Sequence, residues 1–213
     1  MENKTKRVWM SVLGVMGCGI SVGFFKRAVF GVDPFQSFMS GLDALVPIGF
    51  GLLYVIVNAA LLLFSVAFDR RKIGLATLIN LFFLGYIVEF SEKFLWTVFP
   101  NLGLAGRAGM FVVGIVAICF SSSFYFTADL GVSTYDAVSL ILSERVPKVK
   151  FRVWRILSDL VCILIGMGLF LMTGQELSKL GGMIGIGTII TAFFMGPLLQ
   201  FFNTYVAEPY LKR

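Results

Sequence analysis

Long apolar segments alternate with short polar ones along this chain, and their lengths predict helices that cross a lipid bilayer. A crossing helix needs about 20 mostly apolar residues. The predicted spans are 8–25, 48–68, 73–94, 108–128, 154–172 and 180–202. The pattern therefore predicts an all-α polytopic membrane protein with six transmembrane helices.

The first span, 8–25, also has the composition of the apolar region of a signal peptide. Lys26 and Arg27, however, occupy the positions where a cleavage site needs small residues. The same segment also recurs inside the chain, near residues 108–128. We therefore expect the first span to be retained as a transmembrane helix.

Two further helices are predicted that are too short to cross the bilayer. Asp33-Pro34 predicts the start of a helix over 34–45, because aspartate is a favoured N-cap and proline a favoured first residue. The second short helix is predicted over 134–144, after Gly131. Each either lies in the headgroup region, with the preceding glycine as an ordinary helix stop, or re-enters the bilayer.

The two short helices belong to a duplication. Residues 21–47 align with residues 121–147 at a constant offset of 100, without a gap. The identical pairs include Gly31 with Gly131. The break before each short helix is therefore a repeated feature.

The duplication extends to the last predicted span of each half. Residues 74–90 align with residues 185–201 at an offset of 111, which requires an eleven-residue insertion in the second half. The chain thus divides into a first repeat, 1–107, and a second repeat, 108–213, within one membrane domain.

The distribution of lysine and arginine predicts the orientation, because cytoplasmic loops are enriched in both. With the N-terminus inside, 13 of the 18 basic residues lie inside. The inside set is Lys4, Lys6, Arg7, Arg70, Arg71, Lys72, Arg145, Lys148, Lys150, Arg152, Arg155, Lys212 and Arg213, and the outside set is Lys26, Arg27, Lys93, Arg107 and Lys179. Both termini are therefore predicted to be cytoplasmic, in a bacterial plasma or inner membrane. Three spans per repeat make the two repeats inverted relative to each other.

Composition agrees with a membrane protein and excludes several classes of function. Of the 213 residues, 58% are hydrophobic and 14% are charged, against about 25% charged in soluble domains. The net charge of +6 is explained by the basic loops, and no basic stretch carries the interleaved aromatic residues of a nucleic-acid site. The absence of histidine excludes His-based catalysis and His-ligated metals. We predict no enzyme activity, no metal and no cofactor.

Polar residues within apolar segments are candidates for function, because polar groups are costly inside a membrane. The primary candidates for substrate binding, with the two glycines of the breaks, are Gly31, Asp33, Gln36, Asn58, Asp129, Gly131 and Asp136. The secondary candidates are Thr77, Asn80, Glu89, Thr188, Thr191 and Gln200. Asp136 and Gln36 occupy equivalent positions in the two short helices, so that only the second repeat carries an acid there.

Structural roles compete with these assignments. Asp33 could act only as a helix cap, and Asn58 and Asn80 could join neighbouring helices. Thr77 and Thr188 could bond their own i−4 carbonyls. Glu89 could belong to an outer-face network with Glu92 and Lys93. Asp159 is four residues from Arg155, a spacing that favours a salt bridge along one helix over a substrate contact.

The segment ADLGVSTYDAVSLILSER, from Ala128 to Arg145, resembles the YczE/YyaS/YitT family of bacterial membrane proteins. The resemblance covers most of the second half and reaches the first half through the repeat. It implies an inner- or plasma-membrane protein with transport or export roles and no defined substrate. The first copy departs from the family pattern, because Gln36 stands where the aspartate is expected.

Inverted repeats with interrupted helices favour a secondary transporter or small channel, with the pathway for a small solute or ion between the repeats. The free N–H groups of the short helices would then be offered to anions. Two alternatives remain: a substrate-binding membrane subunit of a multi-component transporter, and a non-transport scaffold or assembly factor. The expected partners are the bilayer, the solute and, through the GxxxG motif at Gly19–Gly23, a second copy of the chain.

Overall fold

The computed structural model describes residues 2–149, 151–174, 176 and 180–212, and every regular element in them is a helix. Lys150, Lys179 and Arg213 of the predicted charge pattern lie outside the described residues, as does the side chain of Arg152. The principal helices are α1 Glu2–Ala28, α2 Pro34–Leu45, α3 Phe50–Phe68, α4 Leu75–Val98, α5 Leu104–Ala128, α6 Thr134–Arg145, α7 Phe151–Met172 and α8 Ile186–Phe202. Helix α4 contains a π-helical turn at Asn80–Leu84.

Five helices in the described residues are long and apolar enough to cross a membrane. A sixth crossing is present if the pair Leu180–Thr191 and Phe194–Lys212, which meet at an angle of 58°, counts as one bent span. The prediction of an all-helical, multi-pass membrane protein is therefore confirmed.

Several helices extend beyond the predicted spans. Helix α1 includes the basic residues before position 8, α4 continues to Val98, and α5 begins at Leu104. Apolarity marks the part of a helix that lies in hydrocarbon, whereas long basic side chains allow the helix to continue into the headgroup region. The last predicted span, 180–202, is interrupted, because its first turn ends at Met183 and α8 begins at Ile186.

Helices α1 and α5, the first long helices of the two repeats, pack against each other in antiparallel orientation. Near the start of α1, Arg7 Nη1 donates to the carbonyl of Ala128 at 2.8 Å. Near the start of α5, Arg107 Nε donates to the carbonyl of Ala28 at 2.7 Å. The two arginines are 100 residues apart, and so are the two acceptors. The C-terminus of each of these two helices is therefore capped by the equivalent arginine of the other repeat.

Each short helix packs against a long helix of the opposite half. Helix α2 crosses α7 where Gly41 faces Gly166, and a Cβ added at Gly166 would lie 2.8 Å from the Cα of Phe38. Helix α6 meets α3 through Thr134 Oγ1, which donates to Asn58 Oδ1 at 2.5 Å. The short helices therefore hold the two halves together.

The GxxxG motif of α1 is used within the chain. Gly19 packs against Ile87 of α4, and a Cβ at Gly19 would lie 2.7 Å from Ile87 Cγ2. Ser91 Oγ of α4 donates to the carbonyl of Gly19 at 3.1 Å, and Gly23 faces the same serine. The motif is therefore not available as the surface for a second copy.

Helix α7 turns a continuous apolar face away from the rest of the chain. Its exposed side chains recur every three or four residues, namely Val153, Ile156, Leu157, Leu160 and Leu164. Such a stripe fits a helix whose outer face contacts lipid. Arg155, Ser158 and Asp159 of α7 lie on its inner face, towards the short helix α6.

Candidate functional site

The two breaks have the same backbone conformation. Val29 and Asp129 are left-handed, with φ of 57° and 52°, and Gly31 and Gly131 have φ of 101° and 106°. A left-handed β-branched residue such as Val29 is rare in proteins because its side chain crowds the backbone. The duplicated sequence thus produces a duplicated and locally strained backbone.

Each break is hydrogen-bonded to the opposite half. The N–H of Val32 donates to the carbonyl of Met183 at 3.2 Å, and the N–H of Val132 donates to that of Lys72 at 3.2 Å. These bonds satisfy backbone groups that have no partner within a helix.

The glycines of the breaks are required by close contact as well as by conformation. A Cβ on Gly31 would lie 2.5 Å from Thr188 Oγ1 and 2.6 Å from the nitrogen of Gly185. A Cβ on Gly131 would lie 2.6 Å from Thr77 Oγ1. The predicted roles of Gly31 and Gly131 as break residues thus have a physical basis in this packing.

The matched threonines contact the breaks. Thr77 Oγ1 donates to the carbonyl of Val132 at 2.6 Å and accepts from the N–H of Gly74 at 3.1 Å. Thr188 Oγ1 accepts from the N–H of Gly185 at 3.3 Å. The alternative in which Thr77 bonds its own i−4 carbonyl is therefore wrong.

Both short helices begin with the predicted side-chain cap. Asp33 Oδ1 accepts from the N–H of Gln36 at 3.1 Å, and Ser133 Oγ accepts from the N–H of Asp136 at 3.0 Å. In each short helix, one of the first-turn N–H groups that we expected to be free for an anion is therefore bound by an oxygen of the protein itself.

The first turns of the two short helices meet. Phe35 and Tyr135, equivalent residues of the repeats, stack with ring centroids 4.8 Å apart and planes 23° apart. Tyr54 of α3 packs edge-on against Phe35, with centroids 5.8 Å apart. The N-terminal ends of α2 and α6 are thus brought to one place between the halves.

A cluster of charged groups adjoins this stack. Arg155 of α7 forms an ion pair with Asp136 of α6, and its Nε lies 3.4 Å from Asp159 Oδ1. The guanidinium also lies 4.4 Å above the ring of Tyr135, whose hydroxyl donates to Asp159 at 2.7 Å. The predicted Arg155–Asp159 bridge is present, but Arg155 also joins α7 to α6.

A second set of polar groups links α3, α4 and α6. Asn58 is fully buried, accepts from Thr134, and donates to the carbonyl of Tyr54 at 2.8 Å. The hydroxyl of Tyr54 donates to Asn80 Oδ1 at 3.3 Å, at the start of the π-helical turn. Both asparagines therefore join neighbouring helices.

Gln36 occupies the position in α2 that Asp136 occupies in α6. Its side chain is 3% exposed, and its Oε1 has no hydrogen-bond donor among the described residues. A buried acceptor without a donor is costly. Gln36 is therefore the primary candidate whose bonding the protein leaves incomplete.

Ion pairs and a cleft occupy the other end of α4. Glu92 accepts from Lys26 at 2.7 Å, and Glu89 accepts from Lys93 at 2.6 Å and from the N–H of Gly51 at 2.9 Å. Two adjoining cavities of about 280 and 600 Å³ share Asp43, Glu92 and Trp96 in their walls. Burial raises the pKa of Asp43 above its ordinary value, and Lys26 partly opposes that shift. Glu89 thus lies in a surface network, apart from the stacked rings.

Three further predicted residues also lie outside the charged cluster. The side chain of Asp129 is 88% exposed and lies 3.8 Å from Arg7. Gln200 is exposed, and buried Thr191 donates to the carbonyl of Thr188 at 3.0 Å. Among the described residues, no group of three acidic, cysteine or histidine side chains could hold a metal ion.

The sequence profile of a family described as "Family of unknown function (DUF6198)" matches residues 5–204. The chain belongs to this family. Two proteins of Bacillus subtilis are similar to this DUF6198 chain. "Uncharacterized membrane protein YczE" is 25% identical over 194 residues, covering 88% of this chain and 80% of that protein. "Uncharacterized protein YyaS" is 23% identical over 207 residues, covering 94% of each.

A third relative is an "Uncharacterized protein" of Haemophilus influenzae, 25% identical over 215 residues, which cover 99% of this chain and 90% of the relative. No solved structure matches this DUF6198 chain significantly. The predicted resemblance to the YczE and YyaS proteins is thus confirmed.

Sequence reasoning missed part of the DUF6198 site. Tyr54 and Tyr135 were not among the candidates, although both contribute hydroxyl groups to it. The signal available for Tyr135 was its position beside Asp136 and its alignment with Phe35. No such sequence signal marks Tyr54, because tyrosine is common in apolar spans both at membrane depth and near the membrane surface.

Proposed function

We propose that this protein is a secondary transporter or small channel whose pathway passes between the two repeats. The observation that carries the proposal is the Phe35–Tyr135 stack, which joins the first turns of the two short helices beside the charged groups of Asp136, Arg155 and Asp159. Charged groups within a membrane domain commonly mark a solute or ion pathway.

Both short helices re-enter the bilayer in this proposal. The reciprocal contact of their first turns favours re-entry, because two helices lying flat on opposite membrane faces would be separated by the hydrocarbon core. That core is about 30 Å thick. The non-helical backbone of each break can lie at membrane depth, since the N–H groups of Val32 and Val132 bond to the opposite half. These groups are therefore not left unpaired against lipid.

The two repeats have opposite orientation in the membrane in this proposal, with both termini in the cytoplasm. The antiparallel contact of α1 and α5 and the exchange of equivalent arginine caps support this arrangement. The excess of basic residues on one side supports the direction. Alternating access would then arise from movement of one re-entrant unit against the other.

Purified protein in liposomes would test the proposal, with pooled radiolabelled amines, amino acids, sugars and organic acids as probes. We expect uptake or exchange of at least one pool, and a loss of tenfold or more in Asp136→Asn, because Arg155 then loses one of its carboxylate partners. Asp129→Asn is the matched control, since it removes an exposed carboxylate outside the cluster.

Flux that is equal in the wild type and in Asp136→Asn would contradict the assignment of the pathway. Flux only after addition of an ATPase-containing membrane extract would instead identify a substrate-binding subunit. No flux under either condition would favour the scaffold alternative.

A further inference from the structure

The asymmetry between Gln36 and Asp136 indicates what the site accepts, on the assumption that the proposed pathway is correct. In the second half, Asp136 accepts from Ser133 Oγ at 2.6 Å and pairs with the guanidinium of Arg155. In the first half, Val55 stands 100 residues before Arg155, at the equivalent position. The first half therefore has an acceptor without the cation that its counterpart has.

Gln36 supplies the unpaired acceptor of the first half. The residue is 3% exposed, and its backbone N–H is already held by Asp33 Oδ1 at 3.1 Å. Its Oε1 is buried with no donor among the described residues. A ligand that donates an N–H group would supply the missing bond at this atom.

The charge around Gln36 selects the sign of the ligand. Asp136 and Asp159 both pair with Arg155, and the carboxylate of Asp33 caps the first turn that carries Gln36. The paired groups alone, two carboxylates and one guanidinium, have a formal charge of −1. Because uncompensated charge is costly away from water, the cluster favours a cation and disfavours an anion.

The aromatic residues around the cluster favour an organic cation. The rings of Phe35, Tyr54 and Tyr135 pack together beside it, and the guanidinium of Arg155 already lies over the face of Tyr135. Such rings stabilise ammonium groups through their π electrons. A bare metal ion would need several oxygen ligands around one point, and no group of three acidic side chains among the described residues is placed to hold one.

We propose that the site binds a small solute carrying a primary ammonium group, which donates to Gln36 Oε1 in the place that Arg155 takes beside Asp136 in the second half. The position beside Asp136 would then hold the guanidinium of Arg155, which belongs to the protein. The position beside Gln36 would hold the ammonium group of the transported solute. An amide at Gln36, where the second repeat has the carboxylate of Asp136, would leave binding weak enough for release.

Binding of methylammonium to the purified protein in detergent tests this inference without transport. Thermal unfolding is measured with methylammonium chloride, tetramethylammonium chloride, sodium chloride and sodium acetate at equal ionic strength. We expect the midpoint to rise with methylammonium alone, because tetramethylammonium has no N–H group and sodium cannot donate a hydrogen bond. An equal rise with tetramethylammonium or sodium, or no rise with any salt, would overturn the inference.

Variants at Gln36 make the test specific. Gln36→Leu should weaken methylammonium binding at least tenfold while folding is retained, because it removes an unpaired acceptor. Gln36→Glu should strengthen binding about tenfold, since a charged acceptor makes a stronger bond. Asp129→Asn should leave the affinity for methylammonium unchanged. Equal affinity in the wild type and Gln36→Leu would contradict the role of Gln36.

Uptake of radiolabelled methylammonium into liposomes separates the two proposals. Binding without uptake would contradict the transport function and leave the ligand assignment standing. Uptake of a different solute, without methylammonium binding, would support transport and overturn the ligand assignment.

Discussion

Phe35 and Tyr135, which are 100 residues apart and equivalent in the two repeats, stack on each other at 4.8 Å. Equivalent residues contact one another only near an axis that relates the two halves. The same residues lie in the first turns of the two short helices, so the local symmetry and the candidate site coincide. Tyr135 alone carries a hydroxyl, and that hydroxyl reaches Asp159.

The stack predicts a measurable coupling between its two rings. In a double-mutant cycle with Phe35→Leu and Tyr135→Leu, the coupling free energy of unfolding should be about 0.5–1.5 kcal/mol. Tyr135→Phe keeps the ring and loses only the bond to Asp159, so Phe35→Leu should cost the same in the Tyr135→Phe background as in the wild type. Additive losses in the cycle would show that the rings do not meet.

The glycines of the breaks should not tolerate a side chain. Gly31→Ala and Gly131→Ala each place a left-handed alanine in the chain, which costs about 1–2 kcal/mol, and each adds a Cβ within 2.6 Å of a facing threonine hydroxyl. We expect both variants to unfold at lower temperature in detergent. Gly168→Ala is the control, because nothing lies within 4 Å of its Cβ, and it should be neutral or stabilising.

Sequence patterns predicted the elements more completely than they predicted the contacts. The duplication located both breaks, since Gly31 and Gly131 share a conformation as well as an alignment. The Phe35–Tyr135 contact was beyond reach, because alignment shows that residues are equivalent but not that they touch. The interruption of the last span at Met183 and Ile186 was missed because hydropathy does not respond to a backbone turn.

The site was predicted in part for a similar physical reason. Asp136 and Gln36 were identified because polar side chains in short apolar helices are conspicuous. Arg155 was assigned only to Asp159, its neighbour along α7, whereas the structure also pairs it with Asp136 of α6. Contacts along one helix can be read from spacing, but contacts between helices depend on packing.

Arg155 should matter more for stability than either of its carboxylate partners. Arg155→Gln leaves Asp136 and Asp159 without their shared cation, whereas Asp136→Asn leaves Arg155 with Asp159 at 3.4 Å. Because these side chains are partly exposed, we expect a difference of about 1–2 kcal/mol in unfolding free energy. Denaturant titration of the two variants measures it.

The double variant provides the control for this prediction. Arg155→Gln combined with Asp136→Asn should regain part of the loss, because one carboxylate is removed together with the cation. Arg155→Lys should restore stability incompletely, since an ammonium group cannot bridge two carboxylates as a planar guanidinium does. Equal stability of Arg155→Gln and Asp136→Asn would contradict the role of Arg155 as the shared partner.

Asp43 should make the protein less stable as the pH rises. Burial raises the pKa of this carboxyl in the folded state above the value of about 3.9 expected in an unfolded chain. The folded protein therefore holds the proton more tightly, and this contribution to stability is lost as the pH rises through the folded pKa. Asp43→Asn should raise the melting temperature at pH 7, with a smaller gain near pH 4. The same gain at both values would refute this origin.

The proposed opposite orientation of the repeats predicts opposite accessibility of equivalent residues. Val46 and Val146 end the two short helices, are 100 residues apart, and are 36% and 40% exposed. In a background lacking Cys18, Cys119 and Cys162, a membrane-impermeant maleimide should label Val46→Cys in intact cells and Val146→Cys only after permeabilisation. The two positions form a matched pair, because each precedes a proline in the same local sequence. Labelling of both positions from the same side would mean that the repeats are not inverted, and it would remove the basis for alternating access.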